Sequence, residues 1–260
     1  MKLLAIVSGR PGGNTQTASE LIAEEVTALA RSFGEECVFE VINLGSENLS
    51  FCRGCRLCFE RGEQSCPLND SLLSLRDRIA AADAVILASP VYVEDVSGVM
   101  KNFIDRMAFN CYRPAFAGKL ALVLTTSGVG ATSHARSTMM TAFRLWGFSL
   151  CGAYNLRMGA RLKRDEIKAR HGNALQKSAK QLFNAFHHQA ALRPSLQSLI
   201  VFTVQQHSWS RQNTPSPYTR AYWEEKGWLN PKCAFYIPHK RKLAQGFARI
   251  AGHAIARFFV

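Results

Sequence analysis

Three short segments of this chain, Leu3–Val7, Ala84–Ala88 and Leu120–Leu124, are apolar at every position. A strand with one wet face alternates apolar and polar residues, so unbroken runs of this length mark strands covered on both faces. Each run is followed within a few residues by glycine or proline (Gly9, Pro90 and Gly128), and amphipathic stretches of helical period lie between them. Residues 2–7 are followed by a helix that Asn14 or Thr15 can cap, running to about Phe33 with Ala18, Leu21, Ile22, Val26 and Leu29 on one stripe. A second strand is expected at 37–44, a helix capped by Asp70 to Ala82, and a strand at 84–89 ending at Pro90. Beyond these lie a helix from Val96 to Phe109, a strand at 119–128, a helix from His134 to Trp146, a strand from Phe148 to Tyr154 and a basic helix over 160–190. Strands alternating with helices imply a parallel sheet with helices on both faces.

The composition agrees. Of 260 residues, 47% are apolar and 20% charged, enough for a substantial core and too apolar for a disordered chain. No apolar run approaches the roughly 20 residues that cross a bilayer. Only five apolar residues in a row precede Ser8, fewer than the about 7–15 of a secretory signal core, so the expected compartment is the cytoplasm. Thiols stay reduced there, and the eight cysteines call for a metal, a redox role or burial before disulfides.

Charge is uneven. Residues 1–110 hold 10 basic and 15 acidic side chains, a balance of −5; residues 111–260 hold 22 and 4, a balance of +18. The basic part suits an anionic partner, or simply a solvated surface. A nucleic-acid partner is disfavoured, because the basic residues are scattered over several elements without a recognised binding pattern.

In an open parallel sheet, ligands bind beyond the carboxyl ends of the strands, at the point where strand order reverses. The loop Ser8–Thr17 suits a phosphate there. Glycines 9, 12 and 13 allow close backbone approach, Ser8, Thr15 and Thr17 offer hydroxyls, Asn14 an amide and Arg10 a charge, ahead of a helix N-terminus. It is neither the dinucleotide nor the triphosphate glycine pattern; a plain turn is the alternative. The segment after Ser89 can present a rigid backbone edge to a flat heterocycle with Tyr92 covering it, unless Tyr92 merely packs on the next helix. Gly128 and Gly130 permit a further close approach. One phosphate pocket beside one planar slot matches flavin mononucleotide, FMN, better than a dinucleotide.

SGRPGGNT, SPVYVEDVSGVMKNFIDR and TTSGVG, in this order, resemble the flavodoxin-like family of NAD(P)H-dependent FMN oxidoreductases over about residues 1–155. The resemblance implies a flavodoxin-like doubly wound, five-stranded parallel α/β sheet with helices on both faces, followed by a mostly helical C-terminal extension. It implies that Ser8, Arg10, Asn14, Thr15, Gln16 and Thr17 hold the FMN phosphate, that Pro90, Val91, Tyr92 and Val93 contact the ring, and that Gly128 and Gly130 flank its other edge. It also implies hydride transfer from NAD(P)H to the flavin, with reduced ferredoxin, an acidic protein, as another donor for the basic part. The acceptor, a small molecule or a protein, is not specified. A non-enzymatic flavodoxin-like electron carrier is the rival reading. None of the histidines stands in a catalytic motif, and no catalytic residue is named.

Cys52, Cys55 and Cys58 follow C-x2-C-x2-C spacing, usual for a cubane iron–sulfur cluster with a fourth cysteine from elsewhere. Structural zinc more often takes two separated pairs. The arrangement resembles the iron–sulfur flavoproteins, which implies a [4Fe–4S] cluster on Cys52, Cys55, Cys58 and Cys66. Cys66, eight residues beyond Cys58, is at the far end of the spacing, and zinc or free thiols stay open. Arg53, Arg56 and Arg61 could offset thiolate charge. Cys37, Cys111, Cys151 and Cys233 lack ligand spacing.

The expected domains are residues 1–190, FMN-binding with the cysteine loop 52–66, and an extension over 191–260. Residues 239–260 read as a basic amphipathic helix with Leu243, Phe247, Ile250, Ala254 and Phe258 on one face. That stripe is expected to pack on the body of the protein or on a second subunit, in keeping with a homo-oligomer; peripheral contact with an anionic membrane is the alternative.

Overall fold

The structure, a computed structural model, describes residues 1–159, 161–188, 194–211 and 216–259. The strands are β1 (Lys2–Val7), β2 (Val38–Asn43), β3 (Ala84–Tyr92), β4 (Asp95–Val96), β5 (Leu120–Ser127) and β6 (Ser149–Arg157). The main sheet runs β2-β1-β3-β5-β6, parallel throughout; β4 is a short antiparallel addition to the end of β3. The helices are α1 (Asn14–Ser32), α2 (Leu57–Glu60), α3 (Leu72–Ala81), α4 (Gly98–Arg106), α5 (Ser133–Leu145), α6 (Arg164–His187), α7 (Leu196–Ser210), α8 (Pro217–Glu225) and α9 (Lys242–Phe259). This is the doubly wound flavodoxin-like architecture expected.

The apolar runs divide by parity. Leu4, Ile6, Val85, Leu87, Ala121 and Val123 face one layer with α3, α4 and α5, where Phe103, Phe143 and Trp146 are sealed. Leu3, Ala5, Val7, Ile86, Leu122 and Leu124 face the other, against α1 and α6. Two-sided burial is therefore why these strands carry no polar alternation. A third cluster, with Phe202, Trp209, Trp223 and Trp228 at its centre, belongs to the C-terminal helices.

Several boundaries depart from the sequence expectation. Neither Asn14 nor Thr15 caps α1; the cap is Gly13, and the Asn14 amide oxygen accepts from Leu162 N at 3.0 Å. Strand β3 continues through Pro90 to Tyr92. The reason is local. The carbonyl of Ala88 still accepts from Ser8 N on the β1 side, but β1 then turns away, so the missing N–H of Pro90, pointing the same way two residues on, costs no ladder bond. The helix expected from Val96 is shorter, because Val96 pairs in β4 and the Ser97 hydroxyl caps α4 by accepting from Met100 N. Ser71, not Asp70, is the cap residue of α3, and Asp70 pairs with Arg106 instead. Strand β6 runs to Arg157, three residues further than expected. Of the helix expected over 160–190, α6 supplies the middle, while Ala160, Gln189 and Ala190 lie outside the described residues, as do the expected domain boundary at 190/191 and Val260.

Candidate functional site

The loops after β1, β3, β5 and β6 leave the same edge of the sheet. Strand order reverses between β1 and β3, which opens a crevice there. Three buried serines pin the crevice floor. Ser8 Oγ donates to Ser89 Oγ at 3.1 Å, Ser97 Oγ donates to Ser8 Oγ at 2.8 Å, and Ser97 N donates to Ser89 Oγ at 3.1 Å. The turn of the first loop is equally constrained: Gly9 has φ +107°, and a Cβ there would stand 3.0 Å from Pro90 Cγ. Only glycine passes the proline ring at that φ.

Above this floor lies an open cavity of about 260 Å³. From the expected set it is lined by Arg10, Asn14, Thr15, Pro90, Val91, Tyr92 and Gly128. The α1 N-terminus opens onto it with no side-chain cap and no acid in its first turn, so the positive end of the helix dipole faces the cavity. Thr15 Oγ1 and Thr126 Oγ1 stand 2.6 Å apart and tie that helix end to β5.

The other expected residues are not on the wall. The Ser8 hydroxyl is wholly engaged in the serine cluster. Gln16 turns toward β2, its amide oxygen accepting from Asn43 Nδ2 at 3.1 Å and from Gly12 N at 3.2 Å. Thr17, Val93 and Gly130 do not line the cavity. Val93 and Glu94 form the two-residue turn between β3 and β4, both at positive φ, 50° and 62°.

Sequence reasoning missed Thr126, Ser127, Met158, Gly159 and Arg161, which complete the wall. The first two close β5; the others follow β6, which neighbours β5 in the sheet, so its exit loop had to arrive at the same edge. Ser127 Oγ is buried on this wall and, among the described residues, has no hydrogen-bond partner. A buried hydroxyl without a partner that borders a cavity is a vacant contact for a polar ligand. Two exposed arginines, an open helix N-terminus, a flat proline–valine–tyrosine edge and that hydroxyl fit the anionic phosphate and planar ring of FMN.

The four cysteines 52, 55, 58 and 66 border a second cavity, of about 70 Å³, on the α4 side. Helix α4 connects the two sites: its cap Ser97 locks the loops of the first cavity, while Asn102 Oδ1 accepts from Cys52 N at 3.0 Å and Arg106 Nη1 donates to Ser50 O at 2.7 Å. Arg106 also binds Asp70 through both nitrogens and reaches Cys66 Sγ at 3.8 Å. Arg113, equally buried, donates to the carbonyls of Cys58 and Phe59 and to Glu63. Burial pushes the Cys58 thiol above its ordinary value, and the charges of Cys66, Cys52 and Cys55 add to this against Arg113. Cys58 thus senses the other three thiols, and four thiols bordering one cavity are a donor set whose chemistry fits a four-thiolate centre. As placed, and among the described residues, no group of three or more Cys, His, Asp or Glu would hold a metal ion.

The sequence pattern of NADPH-dependent FMN reductases matches residues 1–158, from β1 to the end of β6. The chain belongs to that family. The match spans the lining of the larger cavity up to Met158, and Gly159 and Arg161 lie just past it. Among curated relatives, an iron–sulfur flavoprotein of Archaeoglobus fulgidus is 34% identical over 149 residues, covering 56% of this chain and 64% of that one. An iron–sulfur flavoprotein of Methanocaldococcus jannaschii is 37% identical over 107 residues, covering 41% and 51%. The chain therefore spans less than two thirds of the length of either relative. Among solved structures, a flavone reductase shares the fold at a TM-score of 0.57 and 12% identity, covering 75% of this chain and 66% of that one. The structure of RosB with a bound 8-demethyl-8-formylriboflavin-5'-phosphate intermediate does so at 0.55 and 13%, covering 93% and 92%. At such identities the likeness concerns the fold alone; it reaches beyond the sheet to the C-terminal helices in the second case.

Proposed function

We propose that this chain is an FMN-dependent oxidoreductase that takes electrons from NAD(P)H, or from a reduced acidic ferredoxin, and delivers them to a small-molecule or protein acceptor. The observation that carries this reading is the crevice at the β1/β3 reversal, where the unpartnered Ser127 hydroxyl, Arg10, Arg161 and the α1 N-terminus converge on one cavity. FMN held there would supply hydride and single-electron chemistry. The protein's part is binding and orientation. Arg10, Arg161 and the helix end would neutralise a phosphate, and Pro90, Val91 and Tyr92, which line the same cavity, would meet the ring. The buried serine triangle ties these loops to one another and so helps to hold the cavity floor in place.

A [4Fe–4S] cluster on Cys52, Cys55, Cys58 and Cys66 belongs to the same proposal, supported by the four thiols on one cavity and by the names of the relatives. Such a cluster would supply one-electron storage. Arg106 ties the two ends of the loop together through Ser50 and Asp70 and brings a cationic donor to Cys66, while Arg113 holds its middle through the carbonyls of Cys58 and Phe59.

The test is anaerobic purification followed by an absorption spectrum, flavin and iron quantitation, and titration with NADH and NADPH separately. Flavin bands near one FMN per chain that bleach with a nicotinamide donor, with iron near four per chain, are expected. Protein that stays colourless after FMN reconstitution overturns the reading. A bound flavin reduced by ferredoxin but by neither nicotinamide assigns ferredoxin as the donor; a flavin that exchanges electrons with proteins but turns over no acceptor makes the protein an electron carrier, and zinc in place of iron removes the cluster.

A further inference from the structure

Helix α9 touches the rest of the protein through small residues. Ala248 and Ala256 are buried, and Gly252 between them lies so close to α7 that a Cβ would stand 2.6 Å from Thr203 Cβ and 3.2 Å from Ile200 O. These residues are four apart and share one face. Rotating the helix would drive leucine or phenylalanine into a space that admits only glycine, so the packed face is fixed.

The consequence is an apolar stripe turned outward. Leu243 is 93% exposed, Phe247 59%, Ile250 75% and Phe258 85%, with exposed Ala254 among them. The expectation that this stripe packs on the protein's own body is not met, because the glycine–alanine face takes that contact instead. Lys242, His253 and Arg257, all exposed, border the stripe, and residues 239–260 contain no Asp or Glu. Pairing two copies about a two-fold axis through the stripe would set Lys242 and Arg257 against their own equivalents with no carboxylate on the helix to offset them. A surface that is apolar within and anionic at its boundary satisfies both features together.

We propose that α9 is an interfacial anchor that lays Leu243, Phe247, Ile250 and Phe258 into the headgroup region of an anionic lipid bilayer, with Lys242 and Arg257 at the phosphates. It lies on the membrane and does not cross it: among the described residues no helix is long and apolar enough to span one. The flavin crevice is unaffected by this role, since α9 contributes nothing to its wall.

The 260-residue chain is floated with vesicles of phosphatidylcholine alone and of phosphatidylcholine mixed with phosphatidylglycerol. Flotation with the anionic vesicles only, falling as salt rises, is expected. The double variant Phe247→Glu/Ile250→Glu is expected to lower partitioning about tenfold or more, and Lys242→Gln/Arg257→Gln to remove the salt dependence. These side chains are exposed; unchanged tryptophan emission and an unchanged thermal midpoint certify that the variants fold. Failure of the unmodified protein to float, or equal flotation of the Phe247/Ile250 variant, overturns the proposal. So does lipid-free sedimentation in which the unmodified protein is a dimer and that variant a monomer, which would assign the stripe to a second copy.

Discussion

Arg106, at the end of α4, and Asp70, ahead of α3, form a two-pronged ion pair with contacts of 2.6 and 3.0 Å, their side chains 2% and 0% exposed. The pair also holds Ser50 through its carbonyl and amide, so it closes the cysteine loop at its base. Asp70→Asn leaves the Arg106 charge buried without a counter-charge and is expected to cost about 3 kcal/mol. Urea unfolding measures this, and Asp70→Leu/Arg106→Met is expected to recover part of the loss.

The same pair sets an acid limit. Burial alone would raise the Asp70 carboxyl, but the Arg106 hydrogen bonds and the amides of Ser50 and Leu72 outweigh it and hold the carboxyl below its ordinary value of 3.8. A lowered carboxylate contributes stability that is present above 3.8 and is lost as pH falls through the lower folded-state value. The gap in urea midpoint between the unmodified protein and Asp70→Asn is therefore expected to hold at neutral pH and to narrow only below 3.8; a gap that widens on acidification contradicts the assignment.

Gly9→Ala combines a positive φ with a Cβ 3.0 Å from the Pro90 ring. It is expected to cost about 1–3 kcal/mol and to weaken FMN binding. Gly34→Ala, also at positive φ but with open space around its Cβ, serves as the comparison and is expected to cost less. Thermal melts and flavin titration of both variants decide.

Arg161→Ala and Ser127→Ala are each expected to weaken FMN binding about tenfold, the worth of a charged contact and of a buried hydrogen bond. Arg31→Ala, at the far end of α1 from the cavity, is expected to change nothing. Flavin fluorescence on titration into apoprotein reads all three, and unaltered affinity in Arg161→Ala would remove the β6 loop from the site.

Val93 holds φ 50° while 99% exposed, a left-handed β-branched residue with nothing packed around it. Val93→Asn is expected to raise stability by about 1 kcal/mol, because asparagine accepts this turn position more readily. A lower melting temperature would show that the turn depends on valine.

What could be read directly was the sheet. Unbroken apolar runs such as Ala84–Ala88 admit only two-sided burial, and glycine-rich exits mark the edge where ligands sit. The first loop yielded Arg10, Asn14 and Thr15 for the same reason. Ser8 and Gln16 look equally suited by type, yet their polar groups are already engaged, by Ser89 and Ser97 in one case and by Asn43 in the other. Residue type lists what a side chain can bond, and only spatial neighbours say what it does bond. Arg161 and Ser127 were illegible from the opposite side: nothing local marks them, and they reach the crevice because β6 lies beside β5.

The sequence by itself determined the layer order, the phosphate-type turn and the thiol spacing, since each is a local pattern set by burial period or backbone freedom. Only the tertiary structure decided that α4 joins the buried serines of the crevice to the cysteine loop, and that α9 turns its small residues inward and its large ones out. Those outcomes depend on contacts between residues far apart in the chain, where a single methyl group at Gly252 or a two-residue strand extension past Pro90 changes which surfaces meet.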